Sequence, residues 1–284
     1  MREFLLDTPR GRIGGLRQGA PGLPRVLALH GWLDNAASFV PLAAHLDNID
    51  LVAVDLAGHG RSFHRAAMAD YTFIDYLLDL AAVLDALDWH APVVLLGHSL
   101  GGAVAALAAV AMPDRVAALA LVESAGPLSG TAAEAPQRLR DAFVRRTTPA
   151  RPLRVFADRD VAVRARMQAN GLSEAAARLL VERGTRAVEG GFVWASDPRL
   201  TWPSPLRMEE ASVRALLAAI ACPVRVVAAS DTLPALAQSM RDTRLACLRD
   251  GACTVLPGHH HLHMETPAPV AAALEEVLGT ARAV

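Results

Sequence analysis

Residues Gly97-His98-Ser99-Leu100-Gly101-Gly102 follow an apolar run, Pro92 to Leu96, and open a small-residue stretch, Ala103 to Met112. The order strand, G-x-S-x-G, helix puts a serine on a sharp turn at the end of a strand. Glycines are required on either side, because a Cβ there would run into the neighbouring strand and helix. The helix that follows points its amide-rich N-terminus at the serine, where it favours developing negative charge. Ser99 is therefore the candidate nucleophile. The pentapeptide by itself recurs by chance in roughly one chain in ten of this size, so the flanking pattern carries the inference.

A chain of 284 residues can bury a sizeable apolar interior, as one large domain or a core with an insertion. A formal net charge of −1 and 52% hydrophobic residues describe a soluble globular protein, with no footprint for nucleic acid or membrane. Lysine is absent from the sequence, which removes Schiff-base and lysine-nucleophile chemistry. Cys222, Cys247 and Cys253 have no metal-ligand spacing and read as reduced residues of a cytoplasmic protein. The opening Met1 to Asp7 has no long apolar stretch, so no signal peptide is expected. Leu100 to Met112 is too short to span a bilayer.

Strand and helix signals alternate through the first third. Arg25–His30, Leu51–Asp55, Pro92–Leu96 and Val116–Val122 read as buried strands, and Ala36–Leu46 and Tyr71–Leu87 as helices. Such alternation predicts an α/β fold with a mainly parallel sheet covered on both faces. Glu3–Leu6 and Ile13–Arg17 would be antiparallel edge strands. After Gly126-Pro127 the pattern turns helical, arginine-rich and interrupted by prolines, with no clear strand. Sheet logic resumes at Cys222–Val227 and Cys253–Leu256 and ends in an alanine-rich helix from Pro267. The expected organisation is a core of residues 1–126 and 218–284, with 127–217 a helical cap inserted after the sixth strand. That insertion would roof the carboxyl ends of the strands, where open α/β sheets bind ligands.

Serine needs a base to take its proton and an acid to orient that base. Gly258-His259-His260-His261-Leu262-His263-Met264-Glu265-Thr266-Pro267 follows the last strand. At this point the chain resembles the α/β-hydrolase superfamily, whose members often read G-H-x-x-x-x-E-x-P around the base. His260 matches that spacing to Glu265 and Pro267, although His259 stands where the family has glycine. His259 and His263 are the other candidates. They stand four apart, as metal ligands on a helix do, but no H-E-x-x-H or third carboxylate accompanies them, so no metal is expected.

The resemblance extends to His30-Gly31-Trp32, from which it implies an oxyanion-hole amide at Trp32, with the second at Leu100. Each such donor is worth roughly 3–4 kcal/mol to the oxyanion. Asp55-Leu56-Ala57-Gly58-His59-Gly60-Arg61-Ser62 matches the superfamily turn D-x-x-G-x-G-x-S, a backbone device in which Asp55 and His59 are structural. Many members place the acid three residues beyond a glycine ending the seventh strand. Here that glycine is Ala229, the residue three later is Thr232, and Asp231 falls one early. Certain haloalkane dehalogenases carry the acid 24 residues after the nucleophile, which is Glu123 here. Those enzymes use an aspartate nucleophile, so only the geometry transfers. Glu123 is the expected acid and Asp231 the alternative. The segments His30–Phe39, Leu172 through Gly184, Asp197–Leu200 and His259–Met264 are similar to the serine hydrolase-like (kraken-type) branch.

From Arg138 to Arg166 nine arginines face three aspartates. They read as the solvated face of helices, with steering of an anionic substrate as the alternative. Phe192, Trp194 and Trp202 are candidates for lining the substrate pocket, or else for packing the cap. The expected activity is that of a cofactor-free serine hydrolase acting on a small-molecule carboxylic ester. The alternatives are hydrolysis of a C–C or amide bond by the same triad, or a ligand-sensing module that keeps the fold. Neither nucleic acid nor membrane is an expected partner, and assembly into a homo-oligomer stays open.

Overall fold

The computed structural model describes residues 1–67, 69–149, 152–232 and 238–280. Strands β1 (Arg2–Thr8), β2 (Gly11–Gln18), β3 (Arg25–Leu29), β4 (Asp50–Val54), β5 (Val93–His98) and β6 (Val116–Val122) are joined by β9 (Val224–Ala229) and β10 (Gly251–Leu256) in one sheet. Its order is β1-β2-β4-β3-β5-β6-β9-β10. From β4 to β10 all pairings are parallel, whereas β1–β2 and β2–β4 are antiparallel. Of the two opening strands, then, β1 alone is an edge, and β2 lies between β1 and β4.

The central strands are apolar along their whole length because helices cover both faces. On one face Leu80, Val83 and Leu84 of helix Phe73–Ala86 and Val104 and Ala105 of helix Leu100–Ala111 pack on Leu27, Leu95 and Leu119. On the other, Phe39, Leu42 and the C-terminal helix Pro267–Leu278 cover Val26, Val94, Leu96 and Ala120. The helix expected over Ala36–Leu46 is a 3-10 turn, Ala36–Phe39, followed by one α-turn, Val40–Ala43. Pro41 has no N–H to give to the turn before it, so one continuous helix cannot form.

Between β6 and β9 the chain leaves the sheet. Helices Ala135–Thr147, Arg159–Asn170, Glu174–Gly184 and Glu210–Ala218 lie there. So does a hairpin that sequence periodicity did not reveal, β7 (Thr185–Val188) with β8 (Gly191–Trp194). Its strands are too short to show alternation, and the turn rests on Gly190, whose φ of 80° suits glycine. Phe156, Val163, Leu172, Leu180 and Val181 form a separate apolar cluster in this excursion, joined by Met264 from the loop after β10. No helix among the described residues is long and apolar enough to cross a membrane.

Candidate active site

Ser99 sits between β5 and helix Leu100–Ala111 with φ 50° and ψ −111°, a backbone conformation that L-residues rarely adopt. Surrounding contacts enforce it. The Ser99 N–H donates to the Val122 carbonyl (3.0 Å), and the Gly101 N–H to the His30 carbonyl (3.1 Å). A Cβ on Gly97 would lie 2.5 Å from Gly102 Cα, and one on Gly101 1.9 Å from the Leu29 carbonyl oxygen. Both glycines are thus required by backbone crowding. Strain recurs nearby: Leu33 and Glu123 also have positive φ, 60° and 50°. Such outliers concentrate at working sites, where the surrounding fold holds them.

The loop after β3 runs past the same helix N-terminus. Among the described residues neither the Trp32 nor the Leu100 N–H has a backbone acceptor. The Trp32 indole, half exposed, donates through Nε1 to the Leu200 carbonyl at 2.9 Å. His30 is buried, its Nδ1 2.7 Å from the Gly31 carbonyl and its Nε2 accepting from the Leu56 N–H at 2.9 Å. One nitrogen must donate and the other accept, so the ring is neutral, and burial lowers its pKa to about 4.

His260 lies in the loop beyond β10, and its Nδ1 is 3.1 Å from Oε2 of Glu123. Glu123 follows β6 and is buried. Its Oε1 accepts from the Ala229 N–H and its Oε2 from the Thr232 hydroxyl, each at 2.7 Å. Burial works to raise the Glu123 pKa. The His260 contact and these two donors outweigh it and hold the carboxyl below its ordinary value. An imidazole that donates from Nδ1 to a carboxylate presents the Nε2 lone pair as a base. Asp231 is exposed, and its backbone N–H donates to the Gly258 carbonyl at 3.0 Å. Its side chain takes no part in this arrangement. Thr232, at the position where many relatives of the resemblance carry the acid, instead supports the carboxylate that reaches in from β6.

The remaining histidines divide by environment. His263 is completely buried, neither ring nitrogen has a hydrogen-bond partner among the described residues, and burial holds its pKa well below the usual value. His259 is half-buried and accepts at Nδ1 from the His261 N–H (3.4 Å). Glu265 accepts from the Ser173 N–H at 2.8 Å, tying the His260 loop to the excursion.

Asp55 works as a clasp. It accepts from the Ala36 and Arg61 N–H groups at 2.8 Å and pairs at 2.8 Å with Arg183, which also reaches Glu3 at 2.7 Å. His59 stacks edge-on against His30 with ring centroids 4.9 Å apart, and burial lowers its pKa to about 3. Sequence inspection did not foresee Arg183 or Thr232 as supporting groups, because their partners lie more than a hundred residues away.

Phe192, Trp194 and Trp202, considered for a substrate pocket, have their observed contacts within the excursion. The Arg159 guanidinium lies 4.5 Å from the Phe192 ring, Trp194 meets Phe156 edge-to-face at 5.1 Å, and Arg145 and Arg146 flank Trp202 at 5.5 Å. The arginine excess is partly neutralised by the core: Arg146 pairs with Asp70 and Arg166 with Asp34. Arg151 lies outside the described residues.

The family model described as alpha/beta hydrolase fold matches residues 24–211. Serine hydrolase-like protein 2 from Homo sapiens is 30% identical over 97% of this chain and 93% of its own length. The crystal structure of a hypothetical protein from Pseudomonas aeruginosa PAO1 superposes with a TM-score of 0.90 at 39% identity, covering 98% of both chains. A thioesterase domain from the curacin biosynthetic pathway matches with a TM-score of 0.83 at 26% identity, over 97% of this chain and 99% of that one.

Proposed function

The protein belongs to the α/β-hydrolase fold family, in its serine hydrolase-like branch, and from that premise we propose that it hydrolyses carboxylic esters through Ser99, His260 and Glu123. The observation that carries this reading is the 3.1 Å contact between His260 Nδ1 and a buried Glu123 carboxylate at the same sheet end as the strained Ser99. His260 Nε2 takes the Ser99 proton as Oγ bonds to the ester carbonyl carbon. The Trp32 and Leu100 N–H groups hold the resulting oxyanion. The C–O bond to the alcohol then breaks, and His260 returns the proton to the leaving oxygen. Water, deprotonated by His260, attacks the acyl-enzyme and frees Ser99 and the acid. Glu123 steadies the imidazolium without itself becoming protonated, and no cofactor enters these steps.

Residues 127–217 serve as the cap over this site in our reading. A thioester is the second substrate class, favoured by the likeness to the curacin thioesterase domain. The test is fluorophosphonate labelling followed by turnover of p-nitrophenyl esters and acyl thioesters of increasing chain length. Labelling at Ser99 with ester turnover is expected. A ligand bound tightly but left intact, with no labelling, would overturn the proposal in favour of a sensing role.

A further inference from the structure

Directly behind His260 lies a second polar cluster that the hydrolytic steps do not use. Asp34 comes from the loop after β3, His98 from the end of β5, and His261 from the loop after β10; all three are buried. His98 Nε2 is 2.9 Å from the His260 carbonyl oxygen. A carbonyl only accepts, so Nε2 carries the proton and a neutral His98 turns the lone pair of Nδ1 inward. That lone pair meets Asp34 Oδ2 at 3.5 Å, an acceptor facing an acceptor. Neither atom has a hydrogen-bond partner among the described residues. His261 Nε2 stands 3.4 Å from the same oxygen, and the three atoms all lie within 4.8 Å of one another.

A second proton on His98 would relieve the clash of lone pairs, but 3.5 Å is too long for an N–H···O bond. The 3.5 and 3.4 Å separations from Asp34 Oδ2 suit ligands of one ion, and the two imidazole nitrogens, within 4.8 Å of each other, would close to about 3.6 Å around it. Bonds of 2.0–2.2 Å at tetrahedral angles put neighbouring ligand atoms about 3.3–3.6 Å apart. Gly31 puts no side chain against these atoms: a Cβ on it would fall 2.7 Å from His98 Nδ1 and 2.9 Å from Asp34 Oδ2. One surrounding bond resembles those that orient metal ligands: His98 gives its other N–H to a carbonyl.

We propose that Asp34 Oδ2, His98 Nδ1 and His261 Nε2 form a binding site for a divalent first-row transition ion. Two imidazoles and one carboxylate suit that class. The site uses neither member of the His259/His263 pair whose spacing alone would suggest metal. Arg166 opposes the ion's charge, which weakens binding. The ring centroids of His98 and His261 lie 4.8 and 5.3 Å from that of His260, so the ion would sit directly behind the proposed base.

The test is titration of chelator-treated protein with Co²⁺, read from its ligand-field absorption, with Zn²⁺ as competitor. One Co²⁺ per chain, displaced by Zn²⁺, is expected. His261→Gln should weaken binding on the order of 100-fold. Arg166→Met should tighten it about tenfold or more by removing the opposing charge. His259→Ala, which removes only an acceptor of the His261 N–H, should weaken it far less than His261→Gln does. Should a variant fail to fold, cobalt-induced paramagnetic shifts of the His98 and His261 ring protons in the unaltered protein give the same answer. Absence of Co²⁺ uptake, binding indifferent to His261→Gln, or binding abolished by His259→Ala would each overturn the proposal.

Discussion

Glu123 reaches His260 from the end of β6, across 3.1 Å, while the neighbouring β9 supplies only the hydroxyl of Thr232 and the N–H of Ala229 to hold the carboxylate. This carboxylate and its supports thus come from adjacent strands. Glu123→Gln should keep the fold and cut kcat by about 10⁴-fold, because the imidazole loses the group that selects its tautomer. Asp231→Asn should be mild. Steady-state kinetics of the two variants on one ester separates them, and the reverse order would remove Glu123 from the triad.

Thr232→Val should have an intermediate effect. It leaves Oε2 of a buried carboxylate with one fewer donor, a loss of about 1–3 kcal/mol. The Glu123 pKa would rise towards its ordinary value, so the pH at which its carboxyl takes up a proton, followed by NMR, should move up. An unchanged midpoint would mean that the hydroxyl contributes only packing.

Ser99→Ala and His260→Ala should each abolish fluorophosphonate labelling and lower turnover by several orders of magnitude. The double variant should be little worse than either, since the groups act as a unit. His263→Ala removes an imidazole with no hydrogen-bond partner among the described residues, and it should affect stability more than turnover.

Arg183 and Asp55 join the excursion to the turn after β4 inside the protein. Arg183→Ala strands a buried carboxylate, and urea denaturation should report a loss of about 3–5 kcal/mol. Pairing it with Asp55→Asn should recover part of that loss. If the single variant were as stable as the parent, the clasp would be structurally idle.

The buried histidines predict an acid limit to stability. His30 and His59 titrate near 4 and 3 in the folded protein, against an ordinary value of 6.5, because burial keeps them neutral. Below pH 6.5 the unfolded chain therefore binds protons that the folded chain refuses. Stability should fall steadily from about pH 6.5 to pH 4, with the His59 contribution continuing to fall to about pH 3. Thermal unfolding across that range measures the slope, and a flat profile would contradict the burial of these rings.

Much of the fold was legible locally. The apolar runs around Val26, Val94 and Leu119 could only be strands covered on both faces, and the glycines beside Ser99 could only mark a crowded strand-to-helix turn. Candidate roles for Ser99 and His260 followed from short motifs, because their chemistry depends on neighbours within a few residues. The hairpin at Thr185–Trp194 stayed hidden, since four-residue strands carry too little periodicity and Phe192 and Trp194 suited a pocket as well as a strand. The sequence alone left Glu123 and Asp231 both open as the acid. Only the structure shows that β6 and β9, lying side by side, bury one carboxylate among donors and leave the other in solvent. The cluster of Asp34, His98 and His261 was likewise decided only by tertiary structure. Its members come from the loop after β3, the end of β5 and the loop after β10, which only the parallel sheet gathers at one end, and no spacing along the chain encodes a distance across it.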